Sequence, residues 1–174
     1  MAKTRLVNSV AEHKGKSHIS AGAAVITLSN SRALKSDTSG DVIQEMLGKN
    51  GHTVHVRKVI PDNRTILRAI LRDLAKDKRI NAIITTGGTG LAPTDVTVEA
   101  VRGMLDKELP GFNSLFMLLS YPQVKSAAMM SRALAGTIKG KIIFCLPGSP
   151  RACKLAMESL ILPELGHILM LLRS

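Results

Sequence analysis

"INAIITTGGTGLAPTDV", residues Ile80–Val96, decides how the rest of the chain reads. Its opening "INAIITT" is short and apolar on both faces, as a parallel strand covered by helices should be, with none of the alternation of a half-solvated strand. Gly87, Gly88 and Gly90 then fall within four positions. Glycine lacks a Cβ and lets another group approach the backbone closely, at a cost to any regular element that contains it. A bare turn and a phosphate cradle both fit such a loop. Past it, a helix is predicted from about Val96 to Leu105.

Working outward, "AAVITL" (Ala23–Leu28) is a buried strand, and the loop "SNSRALKSDTSG" offers Ser36 or Asp37 as a helix cap. The helix "DVIQEMLGKNG" carries Val42, Ile43, Met46 and Leu47 on one face and stops at Gly51. "TVHVRKVI" (Thr53–Ile60) alternates and is β-branched, a second strand. "RTILRAILRDLAKD" keeps the helical period through Ile66, Leu67, Ile70, Leu71 and Leu74. Downstream, "ELPGFNSLFMLLSYP" predicts a turn and helix, and "SAAMMSRALAGTI" a helix or loop leading to a short strand. "KIIFCLPGSP" predicts a buried strand and turn, and Arg151–Leu172 two closing helices split near Pro163. Strands alternating with helices imply right-handed crossovers, a mostly parallel sheet and helices on both faces. The expected fold is therefore a single three-layer α/β/α domain over residues 23–174, preceded by a loose arm over residues 1–22.

The chain has 174 residues, 45% hydrophobic and 21% charged, enough for one domain with a proper core. No apolar run approaches the roughly 20 residues of a membrane helix. The first residues lack the continuous apolar segment of a secretory signal, so a cytoplasmic location without a membrane partner is expected. A net charge of +11 attracts polyanions. Aromatic residues make up only 2%, namely Phe112, Phe116, Tyr121 and Phe144, too few for base-stacking platforms, which argues against a nucleic-acid partner. Cys145 and Cys153 lack zinc or redox spacing and are expected as buried free thiols, and the five histidines show no metal-ligand spacing. The apolar stripe Ile161, Leu165, Ile168, Leu169 and Leu172 is expected to complete the core rather than face another subunit.

Ligands of open α/β sheets bind outside the carboxyl ends of the strands. The loops there are "SNSRALKSDTSG", "PDN", "GGTGLAPTD" and "PGSPR". With neighbouring strands ~4.8 Å apart, Asp62 and Asp95 can converge from two of them. Two carboxylates beside glycine backbone suit a magnesium ion on a polyphosphate. Each aspartate taken singly reads equally as a helix N-cap, and Ser149-Pro150 as a cap followed by a first-turn proline. The glycine stretch lacks the Lys-Ser/Thr of a Walker A loop, and Pro93 replaces the third glycine of the dinucleotide fingerprint. The residues alone lead to an α/β protein that binds a phosphorylated ligand.

"TTGGTGLAPTDVTVEA", "ELPGF", "MMSRALAGTI" and "CLPGSPRACKLAMESLILPEL", in this order and spacing, resemble the MoaB/MogA family of molybdopterin adenylyltransferases. The likeness runs from Ala23 to about Leu165. It implies a MogA-like molybdopterin-binding fold and a role in molybdenum or tungsten cofactor biosynthesis. The implied reaction is adenylylation of molybdopterin by ATP with magnesium, releasing pyrophosphate. By position, Asp62 and Asp95 match the family's acidic residues for catalysis and magnesium. Gly87, Gly88, Thr89 and Gly90 match the loop at the phosphates. Ser131, Pro147, Gly148 and Ser149 match positions around the pterin and nucleotide, with Ser29 and Arg132 beside them; Arg132 fits a phosphate contact and a structural ion pair equally well. The likeness further implies a homo-oligomer, trimer or hexamer, working beside other molybdenum cofactor enzymes. Where family members often carry Ser-Asp after the first strand, this chain reads Ser29-Asn30, which leaves open a carrier that binds molybdopterin without catalysis.

Overall fold

The computed structural model describes residues 19–31 and 34–173. The arm expected over residues 1–22 lies, as far as residue 18, outside the described residues. Strands β1 (Gly22–Leu28), β2 (Thr53–Ile60), β3 (Ala82–Thr86), β4 (Lys107–Glu108), β5 (Leu134–Ile138) and β6 (Lys141–Leu146) form one sheet in the order β2-β1-β3-β6-β5-β4. β2, β1, β3 and β6 run parallel, and β5 and β4 add antiparallel strands at the far edge. Helices α1 (Thr38–Lys49), α2 (Arg64–Lys76), α3 (Thr97–Arg102), α4 (Pro110–Val124), α5 (Pro150–Ala156) and α6 (Leu162–Leu171) cover both faces.

Strand position explains strand composition. β1, β3 and β6 are buried at every residue, whereas edge strand β2 alternates between exposed and half-buried along most of its length. Successive strand side chains point to opposite faces, and the core divides accordingly. Val25, Ile84 and Phe144 pack with Leu47 of α1, Phe116 of α4 and Ile161, Leu165 and Leu169 near the C-terminus. Ile26, Ile83 and Ile143 pack with Leu67 and Leu71 of α2 and Val98 and Val101 of α3. The C-terminal stripe belongs to the core, as expected, with Ile168 and Leu172 partly buried against it. Cys145 and Cys153 are free and buried, and burial pushes the Cys145 thiol up to about 12.

Several boundaries differ from the sequence expectation for local reasons. α1 begins at Thr38, earlier than its apolar period suggests, because Asp37 caps it by accepting the Gly40 N–H at 3.0 Å. Asp37 is itself buried and holds Arg57 at 3.1 Å. α3 covers only Thr97–Arg102 and ends at Gly103. The two closing helices are joined through a π-helical turn, Met157–Ile161, so Pro163 falls in the first turn of α6. Two-residue β4 carries no pattern that a sequence reading can detect.

Candidate active site at the carboxyl edge of the sheet

Between β1 and β3 the strand order reverses direction, since β2 follows β1 on one side and β3 lies on the other. Such a reversal splays the loops apart and opens a crevice at the strand ends. A cleft of about 660 Å³ lies there, lined by Ser29, Asn30, Asp62, Gly87, Gly88, Thr89, Gly90, Asp95, Ser131, Pro147, Gly148 and Ser149. Of the site residues expected from sequence, it brings together all except Arg132.

The glycine loop is wedged between its neighbours. The Gly87 N–H donates to Leu146 O of β6 at 3.0 Å, and the Thr97 hydroxyl donates to Gly87 O at 2.8 Å. Gly87 and Gly88 adopt φ of 94° and 64°, left-handed backbone that an L side chain rarely takes. A Cβ on Gly88 would lie 2.5 Å from the Thr97 Oγ1 and 3.1 Å from an Asp62 carboxylate oxygen. The loop thus turns tightly against the carboxylate, and a larger residue would intrude on it.

Neither aspartate caps a helix. Asn63 caps α2, accepting from Thr65 and Ile66 N–H at 2.9 and 3.1 Å, which releases Asp62 to the cleft. The residue preceding α3 is Val96, with no side-chain cap. Asp95 instead turns back on its own loop, where Oδ2 accepts the Ala92 N–H at 2.8 Å. Burial raises the Asp62 pKa above the ordinary carboxylate value, the negative charge of Asp95 raises it further, and the backbone N–H of Asn30 opposes both. Two like charges that sense each other in one cleft are poised for a cation. Among the described residues no group of three or more His, Cys, Asp or Glu gathers as a ligand set. A donor set of two carboxylates fits magnesium, which keeps several waters and takes one or two carboxylates plus substrate phosphates.

Opposite the aspartates, the "PGS" loop is held by hydroxyls. Thr86 Oγ1 donates to Pro147 O at 2.8 Å, and Ser39 Oγ to Gly148 O at 2.9 Å. Ser149 caps α5, accepting the Ala152 N–H at 3.2 Å, and Pro150 opens that helix, as the sequence pattern suggested. Ser131 Oγ is buried without a hydrogen-bond partner among the described residues, a polar atom left for a ligand or water to satisfy.

Arg132 does not line the cleft. It forms an ion pair with Glu99 and donates Nε–H to Thr89 O at 3.2 Å. Of the two roles open to it, the structure displays the structural one, a brace behind the glycine loop. Sequence reasoning missed Arg151, a cation on the cleft wall, and the apolar wall of Phe116, Val124, Ala128, Met130 and Leu155. The wall comes from α4, the Lys125–Met130 turn and, through Leu155, α5. Its one signal in the sequence was a largely apolar helix without a charged residue.

Residues 24–167 match the family described as "Probable molybdopterin binding domain". Over 162 residues the chain is 43% identical to molybdenum cofactor biosynthesis protein B of Bacillus cereus, covering 92% of this chain and 95% of that one. It is 43% identical to a "Probable molybdopterin adenylyltransferase" of Methanocaldococcus jannaschii, covering 84% of this chain and 90% of the relative. A crystal structure of molybdenum cofactor biosynthesis protein B superposes with a TM-score of 0.86 at 39% identity, covering 89% of this chain and 97% of that one. The tungsten cofactor synthesizing protein MoaB of Pyrococcus furiosus superposes with a TM-score of 0.80 at 35% identity, covering 89% and 98%. The α/β/α layering, the cleft at the strand reversal and these likenesses agree: the chain belongs to the molybdopterin-binding family of molybdenum cofactor biosynthesis.

Proposed function

We propose that the protein adenylylates molybdopterin: the terminal phosphate oxygen of molybdopterin attacks the α-phosphorus of ATP, the bond to the β-phosphate oxygen breaks, and pyrophosphate leaves. The observation that carries this reading is the pair Asp62 and Asp95 beside the glycine loop in one cleft. A phosphate monoester is already largely dianionic near neutral pH, so the nucleophile requires no general base. The obstacle is the approach of two anions, which positioning and charge stabilisation lower. Asp62 and Asp95 would hold magnesium, whose charge offsets that of the phosphates. The glycine loop admits phosphate close to the backbone, and Arg151 adds positive charge to the same wall. The apolar wall and the unpartnered Ser131 hydroxyl suit the pterin, a flat heterocycle with polar edges.

A homo-oligomer is part of this reading. α4 carries no charged residue, yet Leu115, Leu118 and Tyr121 are exposed on it. An apolar face of this kind is the natural contact for a second copy of the chain.

The test is direct. Incubation with molybdopterin, ATP and magnesium is expected to yield adenylylated pterin and one pyrophosphate per product. Retention of molybdopterin with no pyrophosphate release would identify a carrier instead.

A further inference from the structure

Asn30 leaves the carboxyl end of β1 and lines the cleft beside Asp62. Its Oδ1 accepts the backbone N–H of Asp62 at 3.0 Å. Its own backbone N–H acts in return on the Asp62 carboxylate. The two residues, 32 positions apart in the chain, therefore latch the loops after β1 and β2 to each other. A latch of this kind fixes the carboxylate that would hold a cation.

The chemistry of the latch residue matters separately from its geometry. A carboxylate at position 30 would accept the same N–H, so the hydrogen bond alone does not call for an amide. What the amide withholds is a third negative charge. Magnesium fills six oxygen positions, and Asp62 and Asp95 offer too few to retain it without other donors. The phosphate oxygens of a nucleotide would supply the missing ones.

We propose that Asn30 is a positioning residue that fixes Asp62 while holding the cleft at two carboxylates, so that the divalent cation is retained only together with a nucleotide's phosphates. This rests on the adenylyl-transfer reading, in which nucleotide and cation share the cleft. Asp62 and Asp95 would then take up a divalent cation together with a nucleotide's phosphates and would not retain it without them.

Manganese, observed by electron paramagnetic resonance, is the probe. The full chain is compared with Asn30→Asp and Asn30→Ala, with and without a non-reacting ATP analogue, and thermal unfolding checks that each variant is folded. Wild type is expected to bind manganese alone only weakly, and to hold it in a ternary complex with the analogue. Asn30→Asp keeps the latch and adds a charge, so its affinity for manganese alone should rise by at least about tenfold, as a unit charge near a divalent ion predicts. Asn30→Ala should bind manganese alone no more tightly than wild type and weaken the ternary complex severalfold, a loss that Asn30→Asp does not show. The proposal is overturned if wild type binds manganese alone as tightly as Asn30→Asp, or if Asn30→Ala forms the ternary complex as well as wild type. If wild type forms no ternary complex at all, the adenylyl-transfer reading fails and takes the nucleotide-dependent retention of the cation with it. A normal ternary complex with no response to either substitution sinks the role of Asn30 alone.

Discussion

The hydroxyl of Ser39, in the first turn of α1, donates to the carbonyl oxygen of Gly148 at 2.9 Å, joining residues 109 positions apart. Ser39 is fully buried, so the bond ties one wall of the cleft to a helix that takes no part in lining it. Ser39→Ala should cost about 1 kcal/mol of stability, the usual value for one such bond. Because the "PGS" loop loses an anchor, the KM for a cleft ligand should rise more than kcat falls. Thermal unfolding and steady-state kinetics on the same variant check both.

Asp62 should trade stability for activity. Folding raises the Asp62 pKa through burial and the nearby Asp95 charge. Its contribution to stability is therefore present below the ordinary carboxylate range and lost as pH rises through the folded value. At neutral pH Asp62→Asn should unfold at a higher temperature than wild type, while adenylyl transfer falls on the order of a hundredfold, as for loss of one charge-stabilising group. An unchanged rate would remove Asp62 from the mechanism.

Gly88 sets the approach of the loop to Asp62. Gly88→Ala places a methyl group against Thr97 Oγ1 at φ 64°, and strain of this kind costs roughly 1–3 kcal/mol. The variant should denature at lower urea concentration and lose nucleotide binding together. Gly111→Ala serves as a control, since nothing lies within 4 Å of a Cβ there.

His52 gives the stability a second, opposite pH dependence. Its Nδ1 accepts the Ala21 N–H at 3.1 Å, and burial lowers its pKa below 6.5. A group lowered in the fold contributes stability that is present above its unfolded pKa and lost as pH falls through the folded one. The melting temperature should therefore drop between about pH 7 and pH 5, the range in which histidine titrates, and His52→Asn should flatten that drop.

On α4, Leu118 is 67% exposed on a helix without charge. Leu118→Glu is expected to shift the protein to a smaller species in light scattering after size exclusion, with its melting temperature little changed at low protein concentration. An identical mass for both proteins would place the oligomer contact elsewhere.

The sequence by itself determined the layers and the edge. Ala23–Leu28, "INAIITT" and "KIIFCL" lack polar alternation because parallel strands inside a sheet meet helices on both sides, and that pattern is local enough to see. Thr53–Ile60 alternates because it lies at the edge. The loops that end these strands were legible too, since glycine, proline and aspartate mark turns wherever they fall.

Only the tertiary structure decided which turn residues face the ligand. Asp62 read as a helix cap, but the cap is Asn63, whose Oδ1 meets two N–H groups of α2 while Asn30 holds the Asp62 backbone from another loop. Arg132 read equally as a phosphate ligand or an ion-pair partner, and Glu99, 33 residues away, took it. The uncharged character of α4 was legible, but that this helix walls the cleft was not, for the same reason. Periodicity and turn chemistry act over a few residues, whereas hydrogen-bond partners and cleft walls arise from segments that only the folded sheet brings together.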